Sequence, residues 1–303
     1  MSRFPAIVPD ADLTNSPYDT HEVTPMDTIP LLVSLDQAYL PQLQVLLTSL
    51  YWNNPGEQFA IYLLHSGIPA PALAPVVRQC EHLAYQFHPI FVEDRLFADA
   101  PTTKQYPKEM YYRLLAGSLL PRQLNRILYL DPDILVINPL RPLWEMDLEG
   151  RLFAAAAHTG KTDLANQVNR VRLGTDHDYY NSGVLLMNLE ACRREISTDH
   201  IFRFVAEHER ELLLPDQDIL NALYGSRILP LDDAVWNYDA RNYNTYRIAS
   251  GGIYDMKWVM QHTAILHFCG KAKPWKPGYL YRFGGLYLHY AHLTSQYFGM
   301  EEF

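Results

Sequence analysis

The sequence predicts an α/β fold, a mostly parallel sheet with helices on both faces. Two observations carry this. Apolar runs of strand length recur along the chain, among them IPLLVSL, FAIYLLH, SGVLLMN and AILHFCG. They are apolar throughout rather than alternating, as expected of strands buried on both faces. The segments between them space their apolar residues at helical intervals. Buried strands alternating with amphipathic helices build a parallel sheet covered on each side.

The elements follow in order. Residues 1–28, rich in Pro, Asp and Thr and without periodicity, read as a loosely held N-terminal arm. Ile29–Leu35 is the first strand, and it leads into a helix on which Leu43, Leu46, Leu47 and Leu50 share a face before an Asn-Asn-Pro-Gly stop. Phe59–His65 is a strand, PALAPVVRQCEHLA a weaker helix, His88–Val92 a short strand and KEMYYRLLAGSLLP a helix ending near Pro121. LYLDPDILV, Leu128–Val136, joins two strand-like runs through Asp131, Pro132 and Asp133. FAAAAH, SGVLLMN and AILHFCG continue the sheet, with helices in DHIFRFVAEHERELL and DQDILNALYG. The tail, residues 276–303, carries Glu301 and Glu302 just before its last residue and reads as a packed terminal helix. One large domain, residues 29–275, lies between arm and tail.

Composition excludes several function classes. The net charge of −9 lacks the basic footprint of sequence-independent nucleic-acid binding. Cys80, Cys192 and Cys269 are odd in number and far apart, which suits reduced thiols in a cytosol. No apolar run approaches the ~20 residues of a membrane span, and no signal peptide is read at the start, so a cytoplasmic protein is expected. Gly-rich phosphate loops of the nucleoside-triphosphatase kind are absent.

The densest chemistry is in LYLDPDILV. Proline biases Asp131 toward extended backbone, so strand geometry is expected to run through to Asp133, with both carboxylates on one side. Two readings stand: a solvated Asp-Pro-Asp turn, or a pair sharing a divalent cation. AILHFCGKAKPW adds His267 in a strand, followed by Gly270, Lys271 and Lys273. Two carboxylates and an imidazole make a mixed oxygen and nitrogen metal site. The glycine allows close backbone approach and the lysines neutralise anionic oxygens, as a bound diphosphate requires.

YLDPDILV, YNSGVLLMN, DQDILN and HFCGKAKPW, in that order, resemble the signature blocks of glycosyltransferase family 8. The resemblance spans roughly Ile29 to Trp275. It is nearest to bacterial lipooligosaccharide galactosyl- and glucosyltransferases, with glycogenin more distant. It implies a GT-A type nucleotide-binding fold and a retaining, metal-dependent transfer of glucose or galactose from a UDP-sugar. The implied acceptor is a hydroxyl of a glycan, glycolipid or glycoprotein. By resemblance Asp131, Asp133 and His267 bind Mn²⁺, with Mg²⁺ as an alternative. Asp36 bonds the uracil edge and Tyr39 stacks on the base. Gly270 and Lys273 meet the diphosphate. Asn181 and Gly183 contact the donor sugar, Arg113 lies near that sugar and Asp131, and Asp216, Gln217 and Asp218 lie beside the anomeric carbon. The implied catalytic group set is Gln217, Asp218 and Arg113.

The chain departs from the pattern in three places. Ala38 replaces an amide that contacts the ribose in close relatives. Gln105 stands for a histidine of a lid-like segment. His158 stands for an acceptor-binding aspartate, which argues against a lactose-type acceptor. A UDP-sugar-binding protein without turnover and a UDP-sugar hydrolase share these residues. A haloacid-dehalogenase phosphatase does not fit, because Leu135 occupies the position of its Thr or Val. Relatives often use basic, aromatic tails to sit on membranes; with Glu301 and Glu302 in this one, weak peripheral contact is the alternative to a packed helix.

Overall fold

In the computed structural model the described residues are 28–93, 108–157, 163–208 and 211–299. Among the described residues ten strands form in chain order: β1 Ile29–Ser34, β2 Phe59–His65, β3 Gln86–Phe91, β4 Arg126–Leu130, β5 Ile134–Val136, β6 Phe153–Ala156, β7 Val184–Asn188, β8 Ile228–Leu231, β9 Tyr238–Asp239 and β10 Ile265–His267. Seven of them make one sheet in the order β3-β2-β1-β4-β7-β6-β8. β3, β2, β1 and β4 run parallel, β7 is antiparallel to both its neighbours, and β6 and β8 are again parallel. Both edge strands carry a proline, Pro89 in β3 and Pro230 in β8, which removes a donor from each edge.

Period-two alternation divides the apolar strands between two cores. Leu31, Val33, Leu128, Leu130, Val184 and Leu186 face one core, with Leu43, Leu46, Leu47 and Leu50 of the helix Leu40–Asn53. Leu32, Ile127, Tyr129, Leu185 and Met187 face the other, with Ile201 and Val205 of the helix Thr198–His208 and Ile219 of the helix Pro215–Tyr224. Burial of each such side chain is worth about 1.5–3 kcal/mol. β5, β10 and β9 form a second sheet, over which a third core joins Leu135, Leu266 and Phe268 to Tyr287 and Ala291. The last two lie on the helix Gly284–Phe298, which also bonds the helix Leu40–Asn53 through Thr294 to Thr48 at 2.8 Å. No helix among the described residues is long and apolar enough to cross a membrane.

Two local expectations are corrected. KEMYYRLLAGSLLP is not one helix but a 3-10 turn, Lys108–Tyr111, and a short helix, Ala116–Leu119. Tyr111, Tyr112, Leu114 and Leu115 are all buried, and a regular amphipathic helix cannot bury four of five consecutive residues on one stripe. Strand geometry also stops at Leu130: Pro132 and Asp133 form a turn, because β4 and β5 belong to different sheets and the chain must change direction between them.

Candidate active site

β1 ends just before Asp36, whose carboxylate accepts the Ala38 N–H at 2.9 Å and caps the short turn Gln37–Tyr39. That cap aims Tyr39 across the strand ends, where its ring meets Trp275 edge-on at 6.2 Å. Ser34, Asp36, Tyr39, Glu109, Arg113, Asp131 and Asp133 line one cleft of about 360 Å³. A larger cavity, about 550 Å³, is lined by Leu114, Gly117, Arg122 and Arg193 among others and shares no residue with it. The cleft, at the carboxyl ends of β1 and β4, carries the converging polar groups.

The turn between the two sheets brings Asp131 and Asp133 to His267. Nε2 of His267 is 3.2 Å from Asp133 Oδ1 and 3.7 Å from Asp131 Oδ2. One ligand atom from each of the three residues lies within 4.8 Å of the others. The Asn237 amide oxygen meets His267 Nδ1 at 2.9 Å, which leaves Nε2 directed at the carboxylates. A Cβ on Gly183 would fall 2.3 Å from the imidazole and 2.6 Å from Asp131 Oδ2, so the space beside these groups depends on glycine. A hard-oxygen pair with one imidazole, oriented from behind and kept open by a glycine, fits a divalent cation.

Positive groups stand against both carboxylates. Arg113 pairs with Asp131 at 3.0 Å and Asp216 at 3.2 Å, donates to the Ser182 carbonyl at 3.0 Å, and lies over the Tyr129 ring. Burial would drive its charge off, but Asp131, Tyr129 and Asp216 outweigh this and raise its pKa. Tyr129 donates its hydroxyl to Asp131 at 2.6 Å. Lys273 pairs with Asp133 and donates to the Phe268 carbonyl at 2.8 Å. Burial alone would raise the Asp133 pKa; His267 and Lys273 prevail and hold it below the usual carboxylate range. Burial likewise opposes charge on His267, and the adjacent Cys269 and Asp133 raise its pKa well above normal. Asp-Pro-Asp is a turn, as one reading had it, but Asp133 within it is buried rather than solvated.

A second network borders the first. Asn181 donates to Gln217 Oε1 at 2.9 Å, and its own oxygen accepts from Gly183 N–H and Asn237. Ser182 donates to Asp216 at 2.8 Å. Gly270, at φ +80°, takes the left-handed turn, and a Cβ there would strike Arg241, which is paired with buried Asp239.

The family model for glycosyl transferase family 8 matches residues 30–277. The chain belongs to that family. General stress protein A of Bacillus subtilis (strain 168) is 26% identical over 278 residues, covering 89% of this chain and 95% of that protein. Lipopolysaccharide 1,2-glucosyltransferase of Escherichia coli (strain K12) is 23% identical over 290 residues, covering 93% and 82%. The solved structure of an active-site mutant of LgtC superposes with a TM-score of 0.74 at 24% identity, over 88% of this chain and 96% of that one. The fold is of the GT-A type, and the protein is a glycosyltransferase.

Within this family 8 chain, the cleft and its borders gather Asp36, Tyr39, Arg113, Asp131, Asp133, Asn181, Gly183, Asp216, Gln217, His267 and Lys273, with Gly270 in the adjoining loop. Asp218 stands apart from these groups. It is fully buried and faces away from that network: Arg172 holds both its oxygens at 2.7 and 2.9 Å, Tyr179 donates to it, and the Leu213 and Leu214 N–H groups complete the set. These five donors occupy the acceptor positions of the carboxylate. Gln105 and His158 lie outside the described residues. Sequence reasoning missed Tyr129, Ser182, Asn237 and Trp275. Tyr129 carried a signal, standing two residues before Asp131; Asn237, in a short aromatic-rich stretch, carried none.

Proposed function

We propose that this glycosyltransferase is a retaining, metal-dependent hexosyltransferase, moving glucose or galactose from a UDP-sugar to a hydroxyl of a glycan, glycolipid or glycoprotein. The observation that carries it is the convergence of Asp131, Asp133 and His267 beside a cleft bearing Asp36 and Tyr39. Residues 29–275 are the catalytic unit in this reading. Asp131, Asp133 and His267 would hold Mn²⁺, or Mg²⁺ less well, and the ion would supply Lewis-acid stabilisation for the departing diphosphate.

The chain's own residues do the rest. Asp36 accepts the uracil N3–H and Tyr39 covers the ring, which selects a single pyrimidine. Lys273 adds fixed positive charge where the phosphate oxygens gain negative charge. Gly270 lets backbone approach the diphosphate. Arg113, charged and desolvated, keeps Asp131 and Asp216 apart and oriented. Asn181 and Gln217 contact the hexose near its anomeric carbon, whose bond to the β-phosphate oxygen breaks as the acceptor oxygen bonds the same face. Gln217 is an amide and takes no proton, and Asp218 is engaged elsewhere. In this reading the acceptor's proton leaves on the departing phosphate oxygen.

The test is a screen of UDP-glucose and UDP-galactose against sugar, glycopeptide and glycolipid acceptors with Mn²⁺. Expected is an α-linked product that forms only with acceptor and vanishes in excess chelator. Sugar release independent of acceptor would indicate a hydrolase, and tight binding without product a binding protein. A β-linkage in the product would refute retention. Free lactose is expected to be a poor acceptor, given His158.

A further inference from the structure

Glu109 is an acidic side chain of the cleft that the transfer chemistry leaves without a task. It sits in the 3-10 turn Lys108–Tyr111 and lines the same 360 Å³ space as Asp36, Tyr39, Arg113, Asp131 and Asp133. Its Oε1 accepts the Ser66 hydroxyl at 2.6 Å, so the carboxylate is aimed from the end of β2 rather than swinging in solvent. Arg113 lies four residues on, at helical spacing, yet its guanidinium pairs with Asp131 and Asp216 instead. Glu109 is therefore not its counterion.

A carboxylate beside a diphosphate opposes binding, because like charges repel more strongly where solvent is partly excluded. Such a group suits the cleft when the ligand brings donors to it. A UDP-sugar brings one ring N–H, which Asp36 takes, and otherwise only hydroxyls. A vicinal diol offers two O–H donors to the several acceptor sites of one carboxylate, and bonds to a charged acceptor are the strong ones. We propose that Glu109, held by Ser66, accepts a vicinal diol of the sugar nucleotide and so discriminates for it. The inference rests on the UDP-sugar reading of the site.

Both the ribose and the hexose carry such a diol, and calorimetric titration in Mn²⁺ separates them. UDP is compared with 2′-deoxy- and 3′-deoxy-UDP, and UDP-glucose with its deoxy-hexose analogues, on wild type, Glu109→Gln and Glu109→Ala. Loss of the read hydroxyl should weaken wild-type binding about ten- to hundredfold, as for a hydrogen bond to a charged group. Glu109→Ala should lose that discrimination altogether. Glu109→Gln, which keeps the volume and one acceptor oxygen, should keep part of it, with an unchanged melting temperature as the folding control. The analogue series showing the effect names the diol. Undiminished discrimination in both variants overturns the proposal while leaving the UDP-sugar reading intact. Failure of the wild type to bind UDP overturns that reading, and this inference with it.

Discussion

Of the chain's four Asp-x-Asp runs, two border the candidate site, Asp131-Pro132-Asp133 and Asp216-Gln217-Asp218, and folding gives these two opposite fates. In the first, both carboxylates converge on His267. In the second they diverge: Asp216 meets Arg113 and Ser182, while Asp218 is sealed against Arg172 and Tyr179. Backbone accounts for the difference. The first pair sits in a turn between two sheets. The second lies in the first turn of the helix Pro215–Tyr224, where residues two apart do not share a face. A carboxylate pair is thus a site only where the backbone points both groups one way.

The largest test breaks the convergent pair. Asp133→Ala should lower transfer on the order of a thousandfold, the scale of losing a preorganised charge-stabilising group. The fold should survive with some loss of stability, since removal relieves repulsion from Asp131 but leaves Lys273 and His267 without the carboxylate they face. Wild type should gain melting temperature on adding Mn²⁺ and the variant should not. An unfolded variant beside a stable metal-free wild type would mark Asp133 as structural.

The divergent pair should respond the other way round. Asp218→Ala strands Arg172 and two backbone N–H groups, and should destabilise the fold by about 3 kcal/mol. Asp218→Asn is the milder probe. It should retain measurable transfer, and mass spectrometry of the wild type under turnover should show no hexosyl adduct on Asp218. Such an adduct would restore it as the nucleophile.

How much of this was legible is itself a lesson in geometry. The strands were readable because they are apolar on both faces, and Leu43, Leu46, Leu47 and Leu50 because a helix packed on a sheet needs such a stripe. The first Asp-x-Asp stood out because apolar strands flank it. Its continuation as extended chain was a local inference, and the handover to a second sheet, a tertiary event, overrode it. Neither the fate of Asp218 nor the break in the Lys108–Pro121 segment was visible. The first depends on Arg172 and Tyr179, distant in sequence, and the second on two neighbouring tyrosines being buried at once. Asn237 behind His267 was likewise hidden, because nothing local marks the asparagine that orients an imidazole.

A smaller effect sharpens the convergent side. Gly183→Ala would drive a methyl group against His267 and Asp131, and should weaken metal binding about ten- to hundredfold, as disturbed ligand orientation does. Titration with Mn²⁺ measures this. Unchanged affinity would mean that the imidazole and Asp131 shift aside freely.

The smallest effect concerns the divergent side. The Tyr179 hydroxyl donates to Asp218, and burial, with the adjacent Asp218 charge, raises its pKa well above the ordinary 10. A phenol kept protonated in the folded chain ionises more readily in the unfolded one. Its contribution is complete below pH 10 and falls away above it, where the unfolded state sheds the proton. Tyr179→Phe should therefore cost about 1 kcal/mol near neutral pH, from the lost hydrogen bond. It should also flatten the alkaline decline in stability by up to about 1.4 kcal/mol per pH unit. Denaturant melts at pH 8 and above pH 10 read both numbers. Transfer should hardly change, because Tyr179 bonds only the aspartate that faces away from the cleft. A large loss of transfer with stability intact would place the Asp218 network in the chemistry and erase the contrast between the two pairs.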